Sequence, residues 1–144
     1  MHSPILAPVV ALVAWTLVMM LWMIVTRIAA MRRKGISLVG RVGTRTGALE
    51  GVIEDQVNWK AHNYTHLVEQ PTIFYAVAIA LALMDFGGGI NLYLAWAYVG
   101  LRIAHSLVQA TVNIVLYRFI LWILSSLALV GLTVHAGAYL LHHM

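Results

Sequence analysis

The chain contains no cysteine, so disulfides, thiolate metal ligands and a protein thiol nucleophile are all excluded. Charge is also scarce, because only 10% of the 144 residues are charged, against about 25% in ordinary soluble domains. Apolar residues make up 62% of the sequence, and the mean hydropathy is +0.86. This composition argues against a soluble protein and predicts a membrane protein.

Four apolar segments predict four membrane spans. A spanning helix needs about 20 residues, so four of them leave no room for a soluble catalytic domain. The first segment, Ile5 to Thr26, has 22 residues without a charge. It has no basic segment before it and no small-residue cleavage site, which favours an uncleaved anchor over a signal peptide. The predicted spans are residues 5–30, 62–84, 90–112 and 119–141, within a single domain over residues 1–144.

The second span must contain polar residues. Its uncharged run, Gln70 to Met84, has only 15 residues, which is too short to cross a bilayer about 30 Å thick. Glu69 and His66 are therefore predicted to enter the membrane. The glycines at 87–89 predict a tight hairpin, because a phosphate-binding loop would need a preceding strand and a following lysine. The sequence thus predicts an all-α integral membrane four-helix bundle.

The basic residues indicate membrane topology. The net charge is +4, but the basic residues do not form a stripe on a helix or strand, which argues against a nucleic-acid partner. Most lie in the loop of residues 31–58 or beside it, and Arg118 lies in the turn before the fourth span. By the positive-inside rule, both connections are predicted to be cytoplasmic and both termini to lie on the opposite side.

Three ionisable residues are candidates for function because they lie at membrane depth, namely Glu69, Arg102 and His105. Each costs at least about 2.5 to 3.5 kcal/mol on insertion scales. Counted from the hairpin, Glu69 and Arg102 differ in depth by roughly one helical turn, which predicts an ion pair. The pair would either neutralise two buried charges or take part in ligand binding. His105 and Gln109 share a helix face with Arg102, and that face either lines a site or joins helices.

A second polar face lies on the second span, where Asn58, His62, His66 and Glu69 follow at helical spacing. Two histidines and a carboxylate at this spacing can bind a metal. The alternative is a hydrogen-bonded polar face near the cytoplasmic interface. The remaining histidines are widely scattered, unlike the clusters of membrane metal oxidases, so no metal site is predicted.

These features together resemble the MAPEG family, the membrane-associated proteins in eicosanoid and glutathione metabolism. The most specific features are Glu69 with Pro71 ahead of Phe74-Tyr75, and Arg102-Ile103-Ala104-His105 followed by Arg118. The resemblance covers nearly the whole chain. It is strongest to bacterial members, which implies the inner membrane of a bacterium.

The resemblance implies a homotrimer of four-helix protomers that binds glutathione as co-substrate between adjacent protomers, near the cytoplasmic side. Arg118 matches the arginine that stabilises the glutathione thiolate. This role agrees with thiol chemistry, because an adjacent guanidinium lowers a thiol pKa of about 8.5. His62 and His66 stand where glutathione-using members have an arginine and an asparagine, and Gln109 stands where a tyrosine is expected.

Two hypotheses for the function follow. The first is a glutathione-dependent transferase or peroxidase for apolar electrophiles that enter from the bilayer. Arg118 would be catalytic in it, and the binding residues would be His62, His66, Glu69, Arg102, His105 and Gln109. The second is a non-catalytic membrane protein of this fold that binds lipid or a partner membrane complex. In that protein the same polar residues would hold the trimer together.

Overall fold

The computed structural model describes residues 2–45 and 47–143, and this part of the chain contains helices and no strand. The helices are α1 (Leu6–Arg33), α2 (Asp55–Leu83), α3 (Ile90–Thr111) and α4 (Val115–His143). The predicted all-α four-helix architecture is confirmed. Helix α2 begins at Asp55, so its first turns belong to the segment that the sequence indicated as loop.

Three of the four helices, α1, α2 and α4, are long and apolar enough to cross a membrane. Helix α3 spans 22 residues, or about 33 Å at 1.5 Å per residue, but it carries more polar side chains. Arg102, His105 and Gln109 are all buried against neighbouring helices. The polar face of α3 is therefore turned into the bundle, away from lipid.

Helices α2 and α3 form the centre of the bundle. Helix α1 packs along α2, and α4 packs along α3, whereas α1 and α4 have no contact with each other within the described residues. The core draws on all four helices, and in its middle the rings of Phe74 and Tyr98 stack at a centroid distance of 4.4 Å. Its other large fully buried apolar residues are Ile5, Leu12, Leu81 and Leu132.

The loop between α1 and α2 starts with a well-defined helix end. Gly35 has a φ of +66°, and its N–H donates to Arg32 O while the N–H of Ile36 donates to Met31 O. This pair of hydrogen bonds is the Schellman motif, which favours glycine at the left-handed position. Ile36 then packs on a small apolar cluster that includes Met31 and Leu49. The loop is thus anchored onto the end of α1.

The other end of that loop lies beside the end of α1, where an ion pair forms. Glu54, the residue before α2, lies 3.4 Å from the Arg33 guanidinium at the end of α1. Hydrogen bonding to the backbone lowers the pKa of the Glu54 carboxyl group, and Arg33 contributes to the same shift. Both side chains are largely exposed, so the pair adds little stability. It nevertheless marks where the two helix ends meet.

Both termini lie at the same end of the bundle as the hairpin between α2 and α3. Gly87 in the hairpin lies directly beside Ser3 and Ile5, and Phe86 stacks on Tyr139 of α4 at 4.9 Å. The α1–α2 loop and the short α3–α4 turn lie at the opposite end, which we call the loop end. The loop end carries most of the basic residues.

Candidate functional site

A cavity of about 230 Å³ opens at the loop end, between α2, α3 and α4. We call it the Arg118 cavity. Two imidazoles and one guanidinium line it together with an apolar wall from the first turns of α4. Its lining residues are His66, His105, Val115, Arg118, Phe119 and Trp122.

Arg118 is held by the turn that precedes it. Asn113 adopts a left-handed backbone conformation, with a φ of 51°, which asparagine tolerates better than most residues. Its side-chain Oδ1 accepts a hydrogen bond of 2.6 Å from Arg118 Nη1. Arg118 Nε is buried and finds no hydrogen-bond partner among the described residues. Because Arg118 also lines the cavity, its guanidinium can contact an anion there, and its Nε–H still lacks an acceptor.

The position of Arg118 also concentrates positive charge. It lies in the first turn of α4, where the helix dipole is positive and an acidic residue would be the stabilising choice. A cation there is electrostatically unfavourable without an anion. The local structure thus favours an anionic ligand beside Arg118.

The two histidines of the cavity come from different helices and lie close together. The ring centroids of His66 and His105 are 6.1 Å apart, with the rings edge to face. On its other side, His66 Nδ1 lies 3.4 Å from Glu69 Oε2. Glu69 does not line the cavity itself, but it contacts His66, which does.

The predicted ion pair between Glu69 and Arg102 is wrong. Arg102 is 1% exposed, and its Nε donates to the hydroxyl of Tyr98 at 3.2 Å. The Glu69 side chain, in contrast, is 60% exposed and faces out of the bundle. The two residues have similar depths, but Glu69 lies about 200° around α2 from the buried Leu67 at 100° per residue, so it points away from α3.

Arg102 instead begins a chain of hydrogen bonds that runs from buried to partly buried side chains. Tyr98 Oη donates to Gln70 Oε1 at 3.4 Å, and Gln70 Nε2 donates to the hydroxyl of Ser126 at 2.9 Å. This chain joins α3, α2 and α4. Arg102 Nη2 is buried, and no acceptor in the described chain contacts it.

A second buried contact lies closer to the loop end. Asn63 Nδ2 donates to the hydroxyl of Ser106 at 2.8 Å. Gln109 follows one turn later on α3 and is 1% exposed, but its Oε1 has no partner within the described residues. Beyond Gln109, Lys60 Nζ of α2 donates a hydrogen bond of 3.3 Å to Ala110 O of α3. Gln109 therefore lies in the seam between helices and does not line the Arg118 cavity.

His62 lies in a different place from the other site residues. Its Nε2 is 2.9 Å from Glu50 Oε1 in the α1–α2 loop, at the rim of a second and larger cavity. His62 and His66 thus contact different carboxylates. Within the described ranges, no three histidine or acidic side chains come together as a metal site.

The structure therefore brings His66, His105 and Arg118 to one cavity, with Glu69 beside it. His62, Arg102 and Gln109 are not among the residues that line it. Sequence reasoning missed Asn113, whose left-handed conformation positions Arg118, and Glu50, the partner of His62. It also missed Phe119 and Trp122 as cavity residues. For Trp122 the available signal was its spacing of four residues from Arg118, which places both on one helix face. Helical spacing gives no such signal for Phe119, the residue next to Arg118.

These features define a four-helix integral membrane protein with a cationic polar site at one end of its bundle. A family model matches residues 5–138, and the chain belongs to the MAPEG family. No curated protein and no solved structure matches the chain. Membership supports, at the level of the family, a glutathione-related transferase, peroxidase or related function within a membrane.

Proposed function

We propose that the protein is a glutathione-dependent transferase or peroxidase for apolar electrophiles. The carrying observation is the buried Nε of Arg118, which has no partner within the described residues and lies in the first turn of α4. A thiolate placed there would accept its hydrogen bond and neutralise its charge. Because an adjacent guanidinium lowers a thiol pKa, glutathione would be ionised at neutral pH.

The chemistry needs only glutathione and the second substrate. In transfer, the glutathione thiol loses its proton to solvent, the thiolate sulfur bonds to the electrophilic carbon, and the leaving group departs with its electron pair. With a hydroperoxide, two glutathione molecules are oxidised to the disulfide, and the hydroperoxide is reduced to an alcohol and water. Phe119 and Trp122, which are 58% and 40% exposed, offer an apolar surface on the side open to lipid.

The other predicted site residues differ in how closely they would contact glutathione in this proposal. His66 and His105 line the same cavity as Arg118 and would contact the amides and carboxylates of glutathione. Glu69 would orient His66 through their 3.4 Å contact. Arg102 and Gln109 would act from the buried seam, and His62 from the rim of the second cavity.

We further propose that the site is completed by a second copy in a homotrimer. The Arg118 cavity, at about 230 Å³, is smaller than the roughly 300–1,000 Å³ of ordinary ligand pockets. Glu69 is 60% exposed at membrane depth, which is costly if it faces lipid. We place the protein in a bacterial inner membrane, with both termini on the non-cytoplasmic side, from its family resemblance and its distribution of basic residues.

The test is a calorimetric titration of reduced glutathione into the detergent-purified protein, with the ultraviolet absorbance of the thiolate recorded on the same samples. We expect binding, a thiolate signal and a mass of three chains for the wild type. Arg118→Ala should keep the trimer and lower the ratio of thiolate to thiol at a given pH by about tenfold for each unit of lost pKa shift. Arg32→Ala, an exposed arginine on α1, is the matched control and should change nothing.

The second candidate is a non-catalytic membrane protein that binds lipid or a partner complex. The observation in its favour is the chain from Arg102 through Tyr98 and Gln70, which joins three helices without reaching the Arg118 cavity. Absence of binding at millimolar glutathione, with an intact trimer, would favour this candidate over the enzyme.

A further inference from the structure

The larger cavity lies between α1, the α1–α2 loop and the start of α2. It has a volume of about 750 Å³, within the range of sites for drug-sized ligands. It shares no lining residue with the Arg118 cavity. We call it the loop cavity.

One wall of the loop cavity is apolar and reaches the lipid-facing surface. It consists of Met23, Ile24, Ile28 and Met31 on α1, with Leu38 and Leu49 from the loop. Ile24 and Ile28 are 39% and 41% exposed, so this wall continues onto the outside of the bundle. A hydrocarbon chain could therefore enter the cavity sideways from the bilayer.

A second part of the lining carries positive charge that the described chain does not neutralise. Arg27, Arg41 and Arg45 line it. The ion pairs found within the described ranges involve Arg33, His62 and His66, and none of these three arginines. The single acidic lining residue, Glu50, lies 2.9 Å from His62.

The depth of the cavity matches that of lipid headgroups. Arg27 is the first charged residue after the apolar run of α1, so it lies at the boundary between hydrocarbon and water. Basic pockets between helices on the cytoplasmic side are where anionic headgroups bind. The apolar and the cationic parts of the cavity therefore meet at the depth of the membrane surface. A phospholipid has the junction of its acyl chains and its phosphate group at the same depth.

We propose that the loop cavity binds an anionic phospholipid of the surrounding leaflet. The phosphate lies against Arg27, Arg41 and Arg45, and an acyl chain lies along Ile24 and Ile28 of α1. A soluble anion such as glutathione would use the arginines but leave the apolar wall unused. The proposal does not use Arg118, His66 or His105, because the two cavities have separate lining residues. His62 is the one residue of the proposed glutathione site that also lines the loop cavity.

The test measures binding of the full-length protein to bilayer nanodiscs or vesicles that contain either phosphatidylglycerol or only phosphatidylcholine. Native mass spectrometry counts the retained lipid, and the midpoint of thermal unfolding reports stabilisation. We expect retained phosphatidylglycerol and a raised midpoint, with neither effect from phosphatidylcholine. High salt should reduce the phosphatidylglycerol effect, because charge attraction contributes to it.

Two variants separate the walls of the cavity. The double variant Arg41→Gln, Arg45→Gln changes only exposed loop residues. It should weaken phosphatidylglycerol binding by about thirtyfold, because each arginine near an anionic membrane surface raises the affinity by about fivefold. Ile28→Asn should weaken it through the apolar wall. Arg32→Gln and Val25→Asn are the matched controls, because neither residue lines the cavity, and both should bind as the wild type does.

Three outcomes would overturn the proposal. Equal stabilisation by the two lipids would show that the arginines select no anion. Equal losses of phosphatidylglycerol binding in the cavity variants and in their controls would show that the lipid is attracted to the protein surface in general and not to the cavity. Displacement of phosphatidylglycerol by reduced glutathione would show that the cavity belongs to the glutathione site. Failure of Arg118→Ala to affect thiolate formation would bear only on the enzymatic proposal.

Discussion

At the scale of single residues, the chemistry of the site depends on how the α3–α4 turn presents Arg118. The turn is short, and Asn113 alone supplies both its left-handed backbone and the acceptor for Arg118 Nη1. An arginine otherwise has many rotamers, and ordering it costs conformational entropy. Asn113 is thus a positioning residue in the proposed mechanism, and its two contributions can be separated by mutation.

Asn113→Gly removes the acceptor but retains a backbone that adopts a positive φ freely. We expect a thermal midpoint near that of the wild type, together with a higher pKa for bound glutathione because Arg118 is no longer fixed. The pH dependence of thiolate absorbance measures this shift.

Asn113→Val is the contrasting variant, since a β-branched residue strongly disfavours the left-handed region. It should destabilise the protein by about 1–2 kcal/mol. A wild-type pH profile in Asn113→Gly would contradict the positioning role, whatever the stability of either variant.

The residue scale also shows where sequence reasoning failed. Counting residues from the hairpin gave the depths of Glu69 and Arg102 but not the direction of each side chain around its helix. Leu67, Pro71 and Phe74 are the buried positions of α2 nearest in sequence to Glu69, and this face excludes Glu69. His66 and His105 line the same cavity because of the angle at which α2 packs on α3. That angle cannot be predicted from the residue pattern of either helix alone.

At the scale of elements, the hairpin between α2 and α3 fixes how the two central helices meet. Asp85 ends α2 in a left-handed conformation, and the N–H of Phe86 donates to Leu81 O. Asn91 then donates from its side chain to Phe86 O and contacts His135 of α4 at 2.6 Å. The hairpin is therefore a packed corner of the molecule.

Gly87→Ala tests this packing. A Cβ at position 87 would collide with Ser3 Oγ and with Ile5, so we expect a loss of about 1–3 kcal/mol from overpacking. The matched control is Gly88→Ala, because a Cβ there meets no atom within 4 Å. Thermal unfolding in detergent measures both variants, and equal midpoints would show that the start of α1 does not rest on the hairpin.

The elements themselves were largely readable from the sequence. Apolar segments predicted four helices, and the described structure has four. Helix α2 was predicted too short at its start because residues 55–61 are polar, and hydropathy cannot report a helix that extends into water. The α1–α2 loop could not be predicted in detail, since its shape depends on Ile36 packing against Leu49.

At the scale of the whole molecule, the helices do not contribute equally to the bundle. Helices α2 and α3 each touch several neighbours, whereas α1 rests on α2 and α3 alone within the described residues. Helix α1 has few buried positions for its 28 residues, among them Leu12 and Met19. Much of its surface must therefore face lipid or other copies.

A long loop is the covalent connection between α1 and the other three helices, and α1 packs on α2 and α3. The long loop that joins α1 to α2 exposes Arg41 and Arg45, which are cleavage sites for trypsin. Because α1 is held along its length by side-chain packing and not by its connection, we expect protein nicked there to migrate as one intact assembly in mild detergent. Under denaturing conditions it should run as two fragments. Loss of the first helix after nicking would mean that the tether, and not the packing, keeps it in place.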